Sequence, residues 1–233
     1  KKTNIRVLPK TLCKDLAFIL GALVSEGSIN TNKIEFCNSD REFIRKFRES
    51  WNHIFPDSRL HEFEREPSSY GKLSYVRLEC HCRYTIEFLR NLGLFPVKSA
   101  QKTIPKTILQ SPKEVVASFL RSYFEGDGSI TRSPHTVSLN CCSTSEQLVT
   151  ELQLLLLRFG IDSFKRIDIY KNLYKLYIRG KRSVLKFYKQ IGFVNEIKNK
   201  KLEFAMLSYK KDNSLLDHVP FISDYVRQLT GSS

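Results

Sequence analysis

The sequence predicts an α+β fold built from two similar halves, and three observations lead to this prediction. A short motif occurs twice, the same order of helices and strands follows each copy, and small residues recur at equivalent positions of the two motif-bearing helices. The chain has 233 residues, of which 41% are hydrophobic, enough to form the cores of two fused units. We therefore expect one half over residues 1–104, including a linker, and a second half over residues 105–233.

The repeat is clearest around two acidic residues that precede glycine. The segment Ser25–Ile29 (SEGSI) recurs as Gly126–Ile130 (GDGSI), so Glu26 and Asp127 are 101 residues apart. Self-similarity at a fixed offset indicates that one structural unit has been duplicated.

A helix is predicted before each motif. Leucine and isoleucine recur at three- and four-residue spacing from Leu12 to Leu23, which is the pattern of a buried helix face. Before the second motif, Ser111 is predicted to be an N-cap, Pro112 the first helical residue and Glu114 the capping-box acid. Both helices are expected to end at the glycine after the motif acid.

The elements downstream of each motif follow one order: strand, helix, strand, strand, helix. In the first half we predict strands at 33–37, 59–66 and 72–80, and helices at 39–54 and 84–92. In the second half we predict strands at 136–142, 164–170 and 173–179, and helices at 145–159 and 183–191. One further strand is expected between each motif helix and the first of these strands.

Small residues form a ridge on each motif helix. They lie at i, i+4 and i+8, namely Ala17, Gly21 and Ser25 on one helix and Ser118, Ser122 and Gly126 on the other. Such a ridge lets two helix backbones approach closely. On one helix alone it would indicate a crossing with any neighbour, but the shared offset favours a parallel, pseudo-twofold pair. That pairing brings Glu26 and Asp127 side by side.

Two adjacent carboxylates indicate a cation site. At about 4 Å they repel by roughly 1 to 4 kcal/mol, depending on the dielectric. Mg²⁺ takes oxygen ligands and commonly binds through one or two carboxylates, with water and phosphate completing its shell. A single acid before glycine could equally be a turn residue, and it is the duplication that favours metal binding and phosphoryl chemistry.

The composition favours a polyanionic partner. Lysine and arginine outnumber aspartate and glutamate by 38 to 24, giving a net charge of +14, and the basic residues are spread along the chain. A basic surface would therefore have to be assembled by folding. The sequence shows neither a signal pattern nor an apolar run long enough for a bilayer, so we expect an intracellular protein with no membrane partner. The six cysteines lack paired C-x-x-C spacing and are expected to be free thiols.

The motifs resemble a known family. Ile19–Gly27 (ILGALVSEG) and Leu120–Gly128 (LRSYFEGDG) are each similar to the nine-residue LAGLIDADG motif, and Lys102–Pro105 resembles the linker block of intein-borne members. The resemblance is to two-repeat LAGLIDADG homing endonucleases and covers nearly the whole chain. It implies a monomer of two αββαββα halves, with the motif helices at their interface and saddle-shaped antiparallel sheets over double-stranded DNA. It also implies a divalent-metal-dependent endonuclease that hydrolyses one phosphodiester in each strand of a long site.

The resemblance also assigns catalytic and metal-binding residues. The acid before the last glycine is the family's metal ligand, which corresponds to Glu26 and Asp127, with the carbonyls of Ser25 and Gly126 as further ligands. The expected metal is Mg²⁺, with Ca²⁺ substituting for binding and Mn²⁺ for cleavage. Glu125 occupies the motif's other acidic position, which is usually not essential.

A basic residue is expected beside each acid, where it would polarise water or stabilise phosphate charge. Lys102 occupies the family's basic position in the first half. Lys201 is its predicted counterpart, because Lys102 and Lys201 each lie nine residues after a glycine, Gly93 and Gly192. Lys198 and Lys200 remain alternatives for the second half.

Strand alternation predicts which residues face DNA, since one face of a two-stranded ribbon can read base edges in the major groove. Apolar residues are assigned to the core: Ile34, Phe36, Val76, Leu78, Cys80, Val137, Leu139, Cys141, Ile167, Ile169, Leu176 and Ile178. In the first half the residues assigned to DNA are Lys33, Glu35, Arg59, His61, Tyr75, Arg77 and Glu79. In the second half they are Arg132, Thr136, Ser138, Asn140, Arg166, Asp168, Tyr170, Lys175, Tyr177 and Arg179. The two sets differ, so we expect an asymmetric target.

Two other functions remain open on this scaffold: an RNA-splicing maturase and a non-catalytic DNA-binding protein. The presence of both Glu26 and Asp127 favours the nuclease over either alternative. We do not expect self-splicing, because the chain runs from Lys1 to Ser233 without an intein's nucleophile or terminal asparagine. Intein and intron origins both remain open.

Overall fold

The computed structural model describes residues 8–67, 73–133 and 136–207, and it has the predicted α+β architecture. The first half contains α1 (Lys14–Glu26), β1 (Gly27–Ile29), β2 (Ile34–Asn38), α2 (Arg41–Ile54), β3 (His61–Arg65), β4 (Tyr75–Cys80) and α3 (Arg83–Asn91). A 3₁₀ turn at Ser99–Gln101 and a short helix α4 (Lys106–Leu109) lead to the second half. In the described ranges no helix is long and apolar enough to cross a membrane.

The second half repeats the same order. It contains α5 (Lys113–Asp127), β5 (Ser129–Ser133), β6 (Thr136–Ser143), α6 (Glu146–Leu157), β7 (Ser163–Asp168), β8 (Leu173–Arg179) and α7 (Lys181–Gln190). Strands β1 and β5 are the extra strands expected after each motif, so both halves are αββαββα. A further helix, α8 (Glu196–Leu207), was not predicted from the sequence.

Each half has one four-stranded antiparallel sheet, with strand orders β1-β2-β4-β3 and β5-β6-β8-β7. Apolar side chains of alternate strand positions are buried against the helices, which leaves the other face of each sheet open. The first core is aromatic, with Phe36, Phe43, Phe47 and Trp51 in a continuous series of ring contacts. The second core is rich in leucine from α6.

The motif helices α1 and α5 pair in parallel along their ridges of small residues. A Cβ added at Gly21 would lie 2.2 Å from the Oγ of Ser122 and 2.3 Å from the carbonyl oxygen of Phe119. Nearer the start of the pair, the Ser118 hydroxyl donates to the Lys14 carbonyl at 2.7 Å. The predicted helix pairing is therefore confirmed, since equivalent positions of the repeat face each other across the interface.

Three local predictions need correction. Strand β7 ends at Asp168, and Ile167 and Ile169 are 58% and 84% exposed, because this hairpin extends beyond the helices that cover the sheet. Ser111 does not cap α5, whose N-cap is Pro112. The Ser111 hydroxyl instead donates to the Thr107 carbonyl at 2.7 Å, at the end of α4. The predicted start of β4 at residue 72 lies outside the described residues.

Candidate functional site

The ends of the two motif helices bring the motif acids together. α1 ends at Glu26 and α5 ends at Asp127, and each is followed by a glycine whose N–H bonds to a carbonyl of the preceding turn. A Cβ added at Gly126 would lie 2.6 Å from the Oγ of Ser25 and 2.7 Å from the Cγ of Glu26. Only glycine fits this position without displacing the side chains of α1. The Glu26 side chain therefore passes over Gly126, next to Asp127.

The electrostatics of this pair follow from its partial burial. Burial and the nearby charge of Glu26 raise the pKa of Asp127 to about 6, against the opposing effects of Tyr123 and Lys102. Burial also raises the pKa of Glu26, although Lys102 and Lys198 oppose this shift. The Tyr123 hydroxyl is close enough to favour the charged form of Asp127, but no hydrogen bond of regular geometry joins these two described groups.

Two partly desolvated carboxylates with raised pKa values fit a divalent cation, which would favour the charged form of both. Carbonyls in the last turn of a helix lack intrahelical partners, so those of Ser25 and Gly126 are available as oxygen donors. The described residues contain no cluster of three or more histidine, cysteine, aspartate or glutamate side chains able to hold a metal. A metal here would therefore need water or a phosphate to complete its shell.

Lys102 lies against the end of α1. Its Nζ donates to the Val24 carbonyl at 2.8 Å, with the carbonyls of Gly27 and Ser25 at 3.4 and 3.5 Å. Burial lowers the pKa of Lys102, whereas the charges of Asp127 and Glu26 oppose the shift. The sequence prediction for Lys102 thus corresponds to an ammonium group beside both acids.

Lys198, rather than Lys201, occupies the equivalent position in the second half. Its Nζ donates to the Glu125 carbonyl at 2.6 Å, and residue 125 is the repeat equivalent of Val24. Lys201 is exposed on α8. Counting nine residues from the glycine fails because the second linker turns into a helix at Glu196, and a helix advances about 1.5 Å per residue instead of the roughly 3.3 Å of extended chain.

Glu125 holds the second linker in place, a role that the sequence did not reveal. Its buried carboxylate accepts the backbone N–H groups of Val194 at 2.5 Å and Asn195 at 3.1 Å. The same carboxylate forms an ion pair with Lys198 at 2.8 Å. The first motif has Val24 at this position, so this arrangement belongs to the second half.

The open face of the first sheet carries a charged network. Glu35 pairs in register with Glu79, and Cys37 pairs with Arg77, so these side chains share one face. Lys33 lies 2.8 Å from Glu35, and Arg77 lies 3.0 Å from Glu79. Arg77 and Lys33 lower the pKa of Glu79 although its burial opposes this. Other predicted residues flank the network: half-buried Tyr75 at the start of β4, exposed His61 in β3, and Arg59 in the preceding loop.

The open face of the second sheet is richer in hydroxyl and amide groups. Asn140 accepts from Ser129 at 2.9 Å and donates to Thr131 at 3.0 Å. The register places the following predicted residues on this face: Ser138, Asn140, Arg166, Asp168, Lys175, Tyr177 and Arg179. Lys175 and Asp168 form an ion pair at 2.9 Å.

Three of the predicted second-half residues are placed differently. Tyr170 lies fully exposed in the turn between β7 and β8 rather than on a strand. Thr136 and Arg132 lie on β6 and β5, and their side chains are outside the described part of the chain. Arg132 pairs with the core residue Val137, which is the position alternate to the open-face row.

Two aromatic residues on these faces were missed by the sequence analysis. Phe63 lies opposite Arg77, and the guanidinium of Arg77 lies 5.3 Å from its ring centroid. Phe164 stacks on Tyr177 at 5.2 Å, with the Arg179 guanidinium 4.9 Å from the Phe164 centroid. Phe63 and Phe164 are 101 residues apart, so the repeat itself was the signal that could have found them. Each ring restricts a cationic side chain that faces outward.

Residues 14–93 and 114–192 match the model of the LAGLIDADG-like domain family. The chain belongs to the LAGLIDADG family. The two matched regions include both motif helices and both sheets, so the family repeat coincides with the two structural halves.

Relatives in sequence are proteins of other names. The chain is 30% identical over 220 residues to a DNA gyrase subunit of Mycobacterium kansasii, covering 91% of this chain and 38% of that protein. It is 30% identical over 225 residues to the Replication factor C small subunit of Methanocaldococcus jannaschii, covering 93% of this chain and 11% of that protein. The LAGLIDADG chain thus spans well under half of these relatives.

Solved structures share the fold at low sequence identity. Full-length DUF199/WhiA from Thermatoga maritima superposes with a TM-score of 0.59 at 16% identity, covering 97% of this chain and 70% of that chain. The homing endonuclease I-DmoI, solved in complex with DNA and Ca, gives a TM-score of 0.59 at 12% identity, covering 82% and 97%. These likenesses confirm the predicted fold class.

Removing the charge of Asp127 should stabilise the metal-free protein. Because the pKa of Asp127 is raised to about 6 from 3.8, the folded state binds this proton more tightly, and stability is lost as pH rises from about 4 to 6. The gap corresponds to roughly 3 kcal/mol at most. Asp127→Asn should recover much of it at pH 7.5 in EDTA and nothing below about pH 4. Urea unfolding at both pH values measures this, and an equal gain at the two would exclude charge as the cause.

Proposed function

We propose that this LAGLIDADG protein is a site-specific homing endonuclease that binds a long, asymmetric double-stranded DNA site and hydrolyses one phosphodiester in each strand with a divalent metal. The observation that carries the proposal is the meeting of Glu26 and Asp127 at the ends of α1 and α5, with Lys102 and Lys198 beside them. A binding protein that only recognised DNA would not need two partly buried acids at this point.

Glu26 and Asp127 would hold the metal, and the carbonyls of Ser25 and Gly126 are oxygen donors at the same helix ends. A bound Mg²⁺ would activate water and stabilise charge on the scissile phosphate. I-DmoI has been solved with DNA and Ca, Mn or Mg, which supports Ca²⁺ for binding and Mn²⁺ as a substitute in cleavage.

The lysines would act on the phosphate rather than on the metal. Lys102 and Lys198 are held by last-turn carbonyls, so each ammonium group is already desolvated on one side and oriented. A pre-oriented cation stabilises the charge that develops during phosphoryl transfer without having to reorganise. The pseudo-twofold arrangement gives each DNA strand one such lysine.

The two open sheet faces would read the DNA. The first presents a charged network of lysine, arginine and glutamate, whereas the second presents hydroxyl, amide and aromatic groups. Different chemistry on the two faces favours different half-sites, and a protein with both halves in one chain can act as a monomer. Net positive charge of +14 would support contacts to the phosphate backbone.

The chain matches segments that cover only part of proteins with different functions, here a gyrase subunit and a replication factor subunit. A unit shared in this way supports an origin as an insertion carried inside host proteins. We therefore favour an intein context over a free-standing intron product.

A cleavage selection tests the proposal. The protein is incubated with a DNA library of random sequence and Mg²⁺, and linear products are captured and sequenced. Recovery of one asymmetric cut site supports the nuclease. Enrichment of bound sequences in Ca²⁺ without any cleavage in Mg²⁺ or Mn²⁺ would overturn it in favour of a DNA-binding protein, and selective binding of structured RNA would favour a maturase.

Arg77→Ala should relax base preference in one half-site only. Arg77 is fixed by Glu79 at 3.0 Å and by the ring of Phe63, so its guanidinium is ready for a bidentate base contact. Loss of such a contact reduces discrimination by about 1 to 3 kcal/mol. Cleavage of libraries randomised in either half-site gives the measurement, with Arg179→Ala as the matched variant for the other half. Equal loss in both half-sites would contradict half-specific reading.

A further inference from the structure

The linkers that carry Lys102 and Lys198 are each held by a helix N-cap residue of the opposite half. Asp40 caps α2 through Oδ1, which accepts the N–H groups of Glu42 at 2.9 Å and Phe43 at 3.3 Å. Its second oxygen, Oδ2, accepts from the Asn195 side chain at 2.7 Å. The cap uses one oxygen and the contact across the boundary uses the other, so the two roles of Asp40 are separable.

Ser145 makes the corresponding contact in the other direction. Its Oγ accepts the Leu148 N–H at 3.1 Å, which caps α6, and donates to the Lys102 carbonyl at 2.7 Å. Glu151, on the same helix, accepts the Ile104 N–H at 2.6 Å. The linker of the first half is therefore held by the start of α6, just as the linker of the second half is held by the start of α2.

Asn195 transmits the Asp40 contact to Lys198. Its Oδ1 accepts the Lys198 N–H at 3.1 Å, and its own N–H donates to Glu125 at 3.1 Å. The amide of Asn195 cannot turn over to satisfy a changed residue 40 without losing its bond to the first turn of α8. Lys198 lies in that turn, so its direction depends on a residue of the first half.

We propose that Asp40 and Ser145 are positioning residues, each of which orients the lysine-bearing linker of the opposite half. Asp40 acts through Asn195 on Lys198, and Ser145 acts on the backbone of Lys102. Each lysine is thereby aligned only when the two halves are docked. The consequence for catalysis rests on the proposed function: disturbing one brace should slow cleavage of one DNA strand more than the other.

Asp40→Asn separates capping from bracing. Asparagine is as good an N-cap as aspartate, and its Oδ1 keeps the bonds to α2. The group that replaces Oδ2 is an NH₂, which cannot accept from Asn195. We expect Lys198 to become severalfold more reactive toward an acetylating N-hydroxysuccinimide ester, with Lys102 as the internal reference in the same mass spectrum. This readout uses metal-free protein without DNA.

Ser145→Asp is the mirror variant. A carboxylate still accepts the Leu148 N–H but cannot donate to the Lys102 carbonyl. Here the acetylation of Lys102 should rise and that of Lys198 should not. Glu49→Gln is the matched control, because Glu49 lies on α2 and pairs with Arg45 at an exposed surface.

Strand-resolved cleavage then tests the catalytic consequence. With the two strands labelled differently, Asp40→Asn should slow one strand by about 10- to 100-fold and accumulate a nicked product, as loss of a supporting residue commonly does. Ser145→Asp should slow the other strand. A fold that was merely loosened would slow both strands alike.

The outcomes separate this inference from the proposed function. Unchanged Lys198 acetylation in Asp40→Asn would overturn the brace, whether or not the parent cuts DNA. Raised acetylation with equal slowing of both strands would overturn the coupling to individual strands. If the parent cuts no DNA, the proposed endonuclease fails, while selective acetylation of Lys198 in Asp40→Asn and of Lys102 in Ser145→Asp would still support the brace.

Discussion

Glu26→Gln and Asp127→Asn are each expected to reduce double-strand cleavage by roughly 10³-fold or more, which is the scale of losing a metal ligand or a main electrostatic contact in a hydrolase. Both changes keep the shape of the side chain and remove the charge that would hold the cation. DNA binding should persist, because the open sheet faces lie on other elements of the fold. Any gain in stability of the metal-free Asp127→Asn protein should not restore cutting.

The measurement uses one target for all proteins, with binding assayed in Ca²⁺ and cutting in Mg²⁺. Glu87→Gln is the matched control, since Glu87 is an exposed carboxylate on α3 that pairs with Arg83 at 2.9 Å. It should bind and cut as the parent does. If either Glu26→Gln or Asp127→Asn cut both strands at the parent rate, the proposed site would be wrong.

Gly21→Ala should have the largest effect on stability. In an exposed helix, alanine is more stable than glycine by about 0.5 to 1 kcal/mol. At Gly21, however, the new Cβ would lie 2.3 Å from the backbone carbonyl oxygen of Phe119, and backbone cannot move aside as a flexible side chain can. We expect destabilisation of about 3 kcal/mol, the upper range for overpacking.

Urea unfolding with a fixed m-value measures this effect. Ser118→Ala is the matched control at the same interface: it removes one hydrogen bond to the Lys14 carbonyl and should destabilise by only about 1 kcal/mol. A Gly21→Ala protein more stable than the parent would show that α1 and α5 do not approach as closely as the structure indicates.

The repeat made most of the fold predictable from the sequence. Equivalent positions such as Gly21 and Ser122 had to meet if the halves were related by a pseudo-twofold axis, and the motif acids then followed. Alternation was equally reliable where helices cover the sheet. It failed at Ile167, since periodicity shows which side of a strand is apolar but not where the covering layer ends.

The details of the site depended on contacts that no local pattern encodes. Lys198 replaced Lys201 because α8 begins within the second linker, and α8 has no equivalent in the described part of the first half. Glu125 looked dispensable by its motif position, yet its carboxylate binds backbone N–H groups about 70 residues away. Such long-range pairings become visible only when the tertiary structure is known.

The crossed contacts of the linkers constrain how halves of this family can be recombined. A chimaera that joined residues of this first half to a second half from another member would bring Asp40 but lose its Asn195 partner, unless that residue were transplanted as well. The reverse chimaera would need the hydroxyl of Ser145 to meet a foreign Lys102 carbonyl. Exchange of target specificity by swapping whole halves should therefore succeed only when these paired residues travel together.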